Sequence, residues 1–205
     1  MNEYLQHMLT RNAIIVKQET EMSNVALQID AANRYGLFDP SGEALGMANE
    51  ISGGVGGWFM RQFLEKNRPC TIVIYDKQGQ DIATGKKPFR FIFSEISAKI
   101  GEQTLGRARR RFSVLKRKYT IDVEGAPGFE IKSSIFQFGK FTFDVTKNGQ
   151  VVATIAKKFE GVLKMAFTQA DTFSIEFKDE SLTLEERCTL LFTLFLIDFD
   201  VFEQN

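Results

Sequence analysis

The chain has 205 residues and a mass of 23.3 kDa, enough for one ordinary domain that buries a core without disulfides or metal. Its 26 Lys and Arg balance 26 Asp and Glu, and 43% of its residues are hydrophobic, which excludes a uniformly basic nucleic-acid binder and wholesale disorder. Twenty phenylalanines, against one Trp and four Tyr, favour strands.

In chain order, Met1–Thr10 reads as a short helix with Tyr4, Leu5, Met8 and Leu9 on one side. Ala13–Lys17, Asn24–Asp30 and Arg34–Phe38 are short apolar or alternating runs, and Asp39-Pro40-Ser41-Gly42 is a turn. The glycine tract Ser52–Gly57 precedes an expected helix, Trp58–Lys66. Trp58, Phe59 and Phe63 there are suited to plugging a barrel end or meeting a bilayer interface. The tract lacks the Gly-Lys-Ser/Thr of a phosphate loop and the strand-and-acid context of a dinucleotide fingerprint. Thr71–Tyr75 reads as a strand ending at the turn Asp76–Gly79. Pro88–Phe93 alternates with Phe89, Phe91 and Phe93 on one face, and Ile96–Ile100 follows. Tyr119–Val123, Phe141–Val145, Val151–Ile155 and Phe173–Phe177 are further strands, with Asn148-Gly149 marking a hairpin. Strands at this spacing, with no long linker between them, predict one sandwich or barrel domain.

At the C-terminus, Thr183-Leu184-Glu185-Glu186 has capping-box spacing. Cys188, Leu190, Leu191, Phe192, Leu194, Phe195, Leu196 and Ile197 then leave almost no polar face, and Thr189 and Thr193 can bond back to carbonyls one turn earlier. A helix apolar on all sides is surrounded by protein or lipid, and this one is too short for lipid. A closed sheet over residues 13–181 around a central helix over residues 183–199, with Leu190, Leu191, Leu194, Phe195 and Ile197 buried, satisfies both halves of the pattern. Asp198 and Asp200 fall where the helix dipole disfavours them and are expected to face solvent or a basic partner.

Arg107, Arg109, Arg110, Arg111, Lys116, Arg117 and Lys118 place seven cations in twelve residues without an acid. Interleaved with Phe112, Val114 and Leu115, they read as a strand with a wet face. The face fits an anionic leaflet or phosphoinositide, the phosphates of nucleic acid, or a charge-protected strand edge. Arg109 and Arg111 should face one way and Arg110 the other. Enzymatic candidates are few: His7 is the one histidine and sits near a terminus, and Cys70 and Cys188 read as buried free thiols of a reducing compartment. No secretory leader is read at the N-terminus, so a cytoplasmic protein, peripheral on the inner membrane face, is expected.

The segments "VKQETEMSNVALQIDAANRYGLFDPSGEALGMANE" (Val16–Glu50), "RPCTIVIYDKQGQDI", "KKPFRF" and "RRRFSVLKRKYTIDV" then carry a resemblance. So do "FDVTKNGQVVATIAKKFEGVLKMAFTQADTFSIEF" (Phe143–Phe177) and "CTLLFTLFLIDFDVFE" (Cys188–Glu203). In this order they resemble the phospholipid scramblase family, of the superfamily shared with tubby-like and LURP-one-related proteins. The resemblance implies a mainly β, tubby-like closed barrel of about twelve strands around the C-terminal helix. It also implies non-enzymatic transbilayer movement or binding of phospholipids, with an anionic phospholipid surface as partner, nucleic acid disfavoured and a protein partner open. The alternative function is a lipid-headgroup-binding adaptor that does not scramble. This chain lacks the Pro-rich extension and cysteine cluster of animal scramblases. Of their proposed calcium segment it keeps Asp171, with Glu176 as a second carboxylate and Gln169 at the first acidic position. Two carboxylates are fewer than calcium takes, so no cofactor is expected and a turn into a buried strand is the alternative to a calcium site.

Overall fold

A computed structural model describes residues 2–19, 33–51, 69–113, 117–133, 141–157 and 172–201. Twelve strands follow a short helix, α1 (Glu3–Leu9), and precede a long one, α2 (Leu184–Val201). The strands are β1 (Ala13–Gln18), β2 (Arg34–Phe38), β3 (Ala44–Ile51), β4 (Cys70–Tyr75), β5 (Asp81–Lys87) and β6 (Glu95–Ile100). They continue as β7 (Gln103–Arg111), β8 (Lys118–Val123), β9 (Phe129–Ser133), β10 (Phe141–Lys147), β11 (Gln150–Lys157) and β12 (Thr172–Phe177). Each strand pairs antiparallel with its chain neighbours, and β1 pairs with β12, so the sheet closes on itself. Closure leaves no edge strand to template another chain.

The two ends of the barrel differ in construction. At one, here the turn end, strands are joined by tight connections built from sequence-encoded geometry. Asp39 Oδ1 accepts from the backbone N–H of Ser41 and Glu43, and Asp76 Oδ1 repeats this with Gln78 and Gln80. Asn148 (φ 52°) and Gly149 (φ 82°) give the left-handed pair that a two-residue hairpin demands. Register shifts at Leu37/Phe38, Ile74/Tyr75, Ala98/Lys99 and Val145/Thr146 lie just before these turns and bend the strands. The helix α1 covers this end with Leu5, Met8 and Leu9 buried. At the opposite end, here the loop end, β1, β3, β5, β7, β9 and β11 finish and the longer connections begin.

The helix α2 enters from the turn end and fills the lumen. The capping box forms as its spacing predicts: Thr183 N–H donates to Glu186 Oε2 at 2.9 Å, and Glu186 N–H to Thr183 Oγ1 at 3.3 Å. Thr189 and Thr193 bond back to the carbonyls of Glu185 and Thr189, both at 2.8 Å. Every residue from Glu186 to Asp200 is buried, Leu190, Leu191, Leu194, Phe195 and Ile197 among them. Tyr35 meets Phe195 edge-on at 5.2 Å. Gly85 and Gly106 let the helix approach the sheet: a Cβ on Gly85 would collide with Phe192, and one on Gly106 would lie 2.7 Å from Thr189 Oγ1 and the Asp122 carbonyl. Arg187 anchors the entry by donating to the carbonyls of Leu9 (3.1 Å) and Arg11 (3.3 Å), its guanidinium 4.7 Å from the Phe177 ring centre.

Three expectations are corrected. Pro88–Phe93 is a loop rather than a strand: β5 ends where Lys87 pairs with Cys70, the first residue of β4, and Pro88 has no N–H to extend the ladder. The basic segment is not one strand but a hairpin, with β7 ending at Arg111 and β8 starting at Lys118. Asp198 and Asp200 are buried rather than facing solvent. Asn24–Asp30 and the expected helix Trp58–Lys66 lie outside the described residues.

Candidate functional site

The basic residues sit on β7, on β8 and in their connection, at the loop end. Strand alternation turns Arg107, Arg109 and Arg111 outward and Arg110 inward, as expected. Their neighbours decide how much charge remains. Arg107 lies opposite Asp122 in the ladder, and Arg109 Nε is 3.2 Å from Glu95 Oε2. Arg90, from the loop 88–94, reaches the other oxygen of Glu95 at 2.9 Å. Burial pushes the Glu95 carboxyl up, but Arg90, Arg109 and Arg107 outweigh it and hold the group below its ordinary value. Lys118 Nζ lies 3.1 Å from Glu130, which Lys132 also approaches at 3.5 Å; these lysines, Lys118 foremost, hold Glu130 low. Arg111 donates to Thr120 Oγ1 at 2.8 Å. Among the described residues, Glu95 and Glu130, with Asp144 opposite Lys132 in the ladder, face Arg90, Arg109, Arg111, Arg117, Lys118 and Lys132, so cations outnumber carboxylates on this face. Lys116 and Asp171 lie outside the described residues.

Inside the same end, α2 delivers its last carboxylates. Asp200 Oδ2 accepts from Ser94 Oγ at 2.5 Å and Tyr119 OH at 3.1 Å, and Asp198 Oδ2 lies 3.5 Å from Tyr35 OH. Burial raises the Asp200 carboxyl above its ordinary value, despite these hydrogen bonds and the charges of Arg110 and Lys87. Burial, then the Asp200 charge, pushes Tyr119 well up as well. The cation of buried Lys87 lies over the Phe199 ring at 5.6 Å.

Glu176 is exposed on the outer face of β12, and no cluster of three His, Cys, Asp or Glu side chains suited to a metal occurs among the described residues. His7 is exposed at the turn end, 2.9 Å from Arg11. Cys70 and Cys188 are buried free thiols, and burial pushes Cys188 up to about 12, which keeps it protonated and inert. Sequence reasoning missed the group Ser94–Tyr119–Asp200. It also missed the exposed apolar tip Phe91-Ile92-Phe93 with Phe112. The tip could have been found from Pro88, which stops a ladder whatever the alternation after it.

No described helix is long and apolar enough to cross a membrane. The scramblase family model matches residues 1–204. The chain is 27% identical to "Altered inheritance rate of mitochondria protein 25" of Saccharomyces cerevisiae, with 96% of this chain and 72% of the relative aligned. It is 26% identical to human "Phospholipid scramblase 2" over 98% of this chain and 71% of the relative. A phospholipid scramblase family protein of Schizosaccharomyces pombe is 23% identical over 96% of this chain, which spans 61% of that relative. No solved structure matches the chain. A barrel closed around its last helix, matched from end to end by the family pattern, therefore belongs to the scramblase family.

Proposed function

We propose that this chain works without chemical catalysis on phospholipids, docking the loop end of its barrel on an anionic membrane surface and binding headgroups or promoting transbilayer movement there. The observation that carries the docking reading is the excess of cations, among the described residues, at the loop end of a chain whose formal net charge is zero. Near an anionic leaflet each such residue contributes on the order of 1 kcal/mol. Anionic lipids are concentrated on the cytoplasmic leaflet, and buried free thiols suit a reducing compartment, so the inner face is the proposed location. Transbilayer movement rests on family membership and on the printed names of the relatives.

A second reading, a headgroup-binding adaptor without scrambling, is favoured by the filled lumen. The helix, with Phe192 drawn against Gly85 and Phe195 beside it, occupies the lumen in which an acyl chain would have to lie. The outward faces of β6–β9 carry Glu95, Arg107, Asp122 and Lys132, the reverse of a lipid-spanning barrel with its apolar exterior. Lipid movement then requires the barrel to open, to oligomerise or to recruit a partner. Vesicles bearing a labelled phospholipid in one leaflet separate the readings. Equilibration on adding the protein supports scrambling, co-sedimentation without equilibration supports the adaptor, and neither on anionic vesicles rejects both.

A further inference from the structure

Among the described residues, five large apolar side chains are exposed, and four of them sit at the loop end: Phe91 (84%), Ile92 (73%), Phe93 (39%) and Phe112 (74%). They come from two connections, 88–94 and the segment after β7, that the ladder places side by side. Glu95 pairs with Arg109, and Arg110 N–H donates to the Ser94 carbonyl at 2.9 Å, so Phe93 and Phe112 continue from neighbouring positions on adjacent strands. The base of this tip is rigid. Ser94 is buried and bonded to Asp200 of α2, and Phe89, half-buried, packs edge-on against Phe91 at 4.8 Å.

An exposed apolar cluster of this kind opposes solubility unless something covers it. Its surroundings say what. Arg90 lies inside the loop, Arg111 immediately precedes Phe112, and Arg117 and Lys118 close the same connection. Aromatic and branched apolar side chains surrounded by arginines match the boundary between acyl chains and anionic headgroups, where the charges meet phosphate and the rings enter the hydrocarbon. Deepening the docking reading above, on which it rests, we propose that Phe91, Ile92, Phe93 and Phe112 form a wedge that inserts into an anionic phospholipid bilayer. The barrel then stands with its loop end down and α1 and the tight turns pointing away.

Because Cys70 and Cys188 are buried, an Ile92→Cys variant takes an environment-sensitive maleimide label at one position, and Val151→Cys does the same near the turn end. On phosphatidylcholine vesicles containing phosphatidylserine, the label at 92 should shift its emission to the blue and be quenched by acyl-chain spin labels, while the label at 151 stays in water. A folded Phe91→Ser/Ile92→Ser/Phe93→Ser variant should bind these vesicles about tenfold or more weakly, with the loss persisting at high salt. If the protein sediments with the vesicles while position 92 stays water-exposed, or if both labels insert equally, the wedge is overturned and electrostatic docking survives. If no sedimentation occurs, the docking reading falls and the wedge falls with it.

Discussion

Asp200 is 1% exposed, and four groups from distant parts of the chain converge around it: Ser94 and Tyr119 by hydrogen bond, Arg110 and Lys87 by charge. Burial wins over these partners, so the carboxyl is raised above its ordinary 3.8 and the folded state binds its proton more tightly than the unfolded chain. The stability from that proton is complete below pH 3.8 and is lost as pH rises through the raised value. Asp200→Asn keeps an oxygen for Ser94 and Tyr119 to donate to and removes the titration. The variant should therefore gain stability relative to wild type as pH climbs from about 4, after which the difference between them should stay constant. Urea midpoints across that range read it, and a difference independent of pH would contradict a raised carboxyl. None of this was visible in the sequence, because the hydrogen-bonded partners lie 106 and 81 residues away along the chain.

Among the elements, α2 organises the rest. Leu194→Asp places an unpaired charge in the lumen at a cost of several kcal/mol, a large share of total stability, and should leave no cooperative unfolding transition. A truncation lacking residues 190–205 should fail in the same way; a folded truncated barrel would refute the central role of the helix. Gly85→Ala drives a methyl into Phe192 and should destabilise by about 1–3 kcal/mol in chemical denaturation, whereas Gly101→Ala, with open space around it, meets only the backbone strain of its positive φ. These glycines also explain which strands were legible. β2 and β12 stand where the sequence reading puts them, within one residue. β3 (ALGMANEI) and β5 (DIATGKK) went unread because small residues thin out the apolar signal, among them Gly85, which admits Phe192, and β9 (FEIKS) offers only two apolar side chains. α2 was readable because its cap and its uniform apolarity are both local. The turn between β7 and β8 was not, since no Gly or Pro marks it and the charges run on through it.

For the whole molecule, the asymmetry between the two ends predicts a directional electrostatic response. Arg90→Gln/Arg111→Gln/Arg117→Gln should weaken binding to anionic vesicles by on the order of 3 kcal/mol at low salt. That loss should shrink as salt shortens the Debye length from about 10 Å at 0.1 M to about 3 Å at 1 M. Lys77→Gln/Lys178→Gln, at the turn end, should leave binding unchanged in the same sedimentation assay. Melting temperatures should move little in either variant, because exposed charges contribute little to folding. Equal losses from the two variants would mean that net charge, not a face, drives association. The location of the surplus was half legible: the cluster stands out in the sequence, but its partial neutralisation by Glu95 and Glu130 depends on strand neighbours.

The seam between β1 and β12 has a consequence for synthesis. Ile15 takes Ser174 as its partner, so about 160 residues must leave the ribosome before the first strand finds its second neighbour. At roughly 5–20 residues per second, that edge waits on the order of 8–30 s while β2 covers only its other side. The helix that fills the lumen is translated after every strand, so throughout this interval the nascent sheet carries its apolar face bare. A chain stalled before Thr183 would thus be a sticky, unclosed ribbon, and chaperone occupancy on translating ribosomes should persist until α2 has emerged.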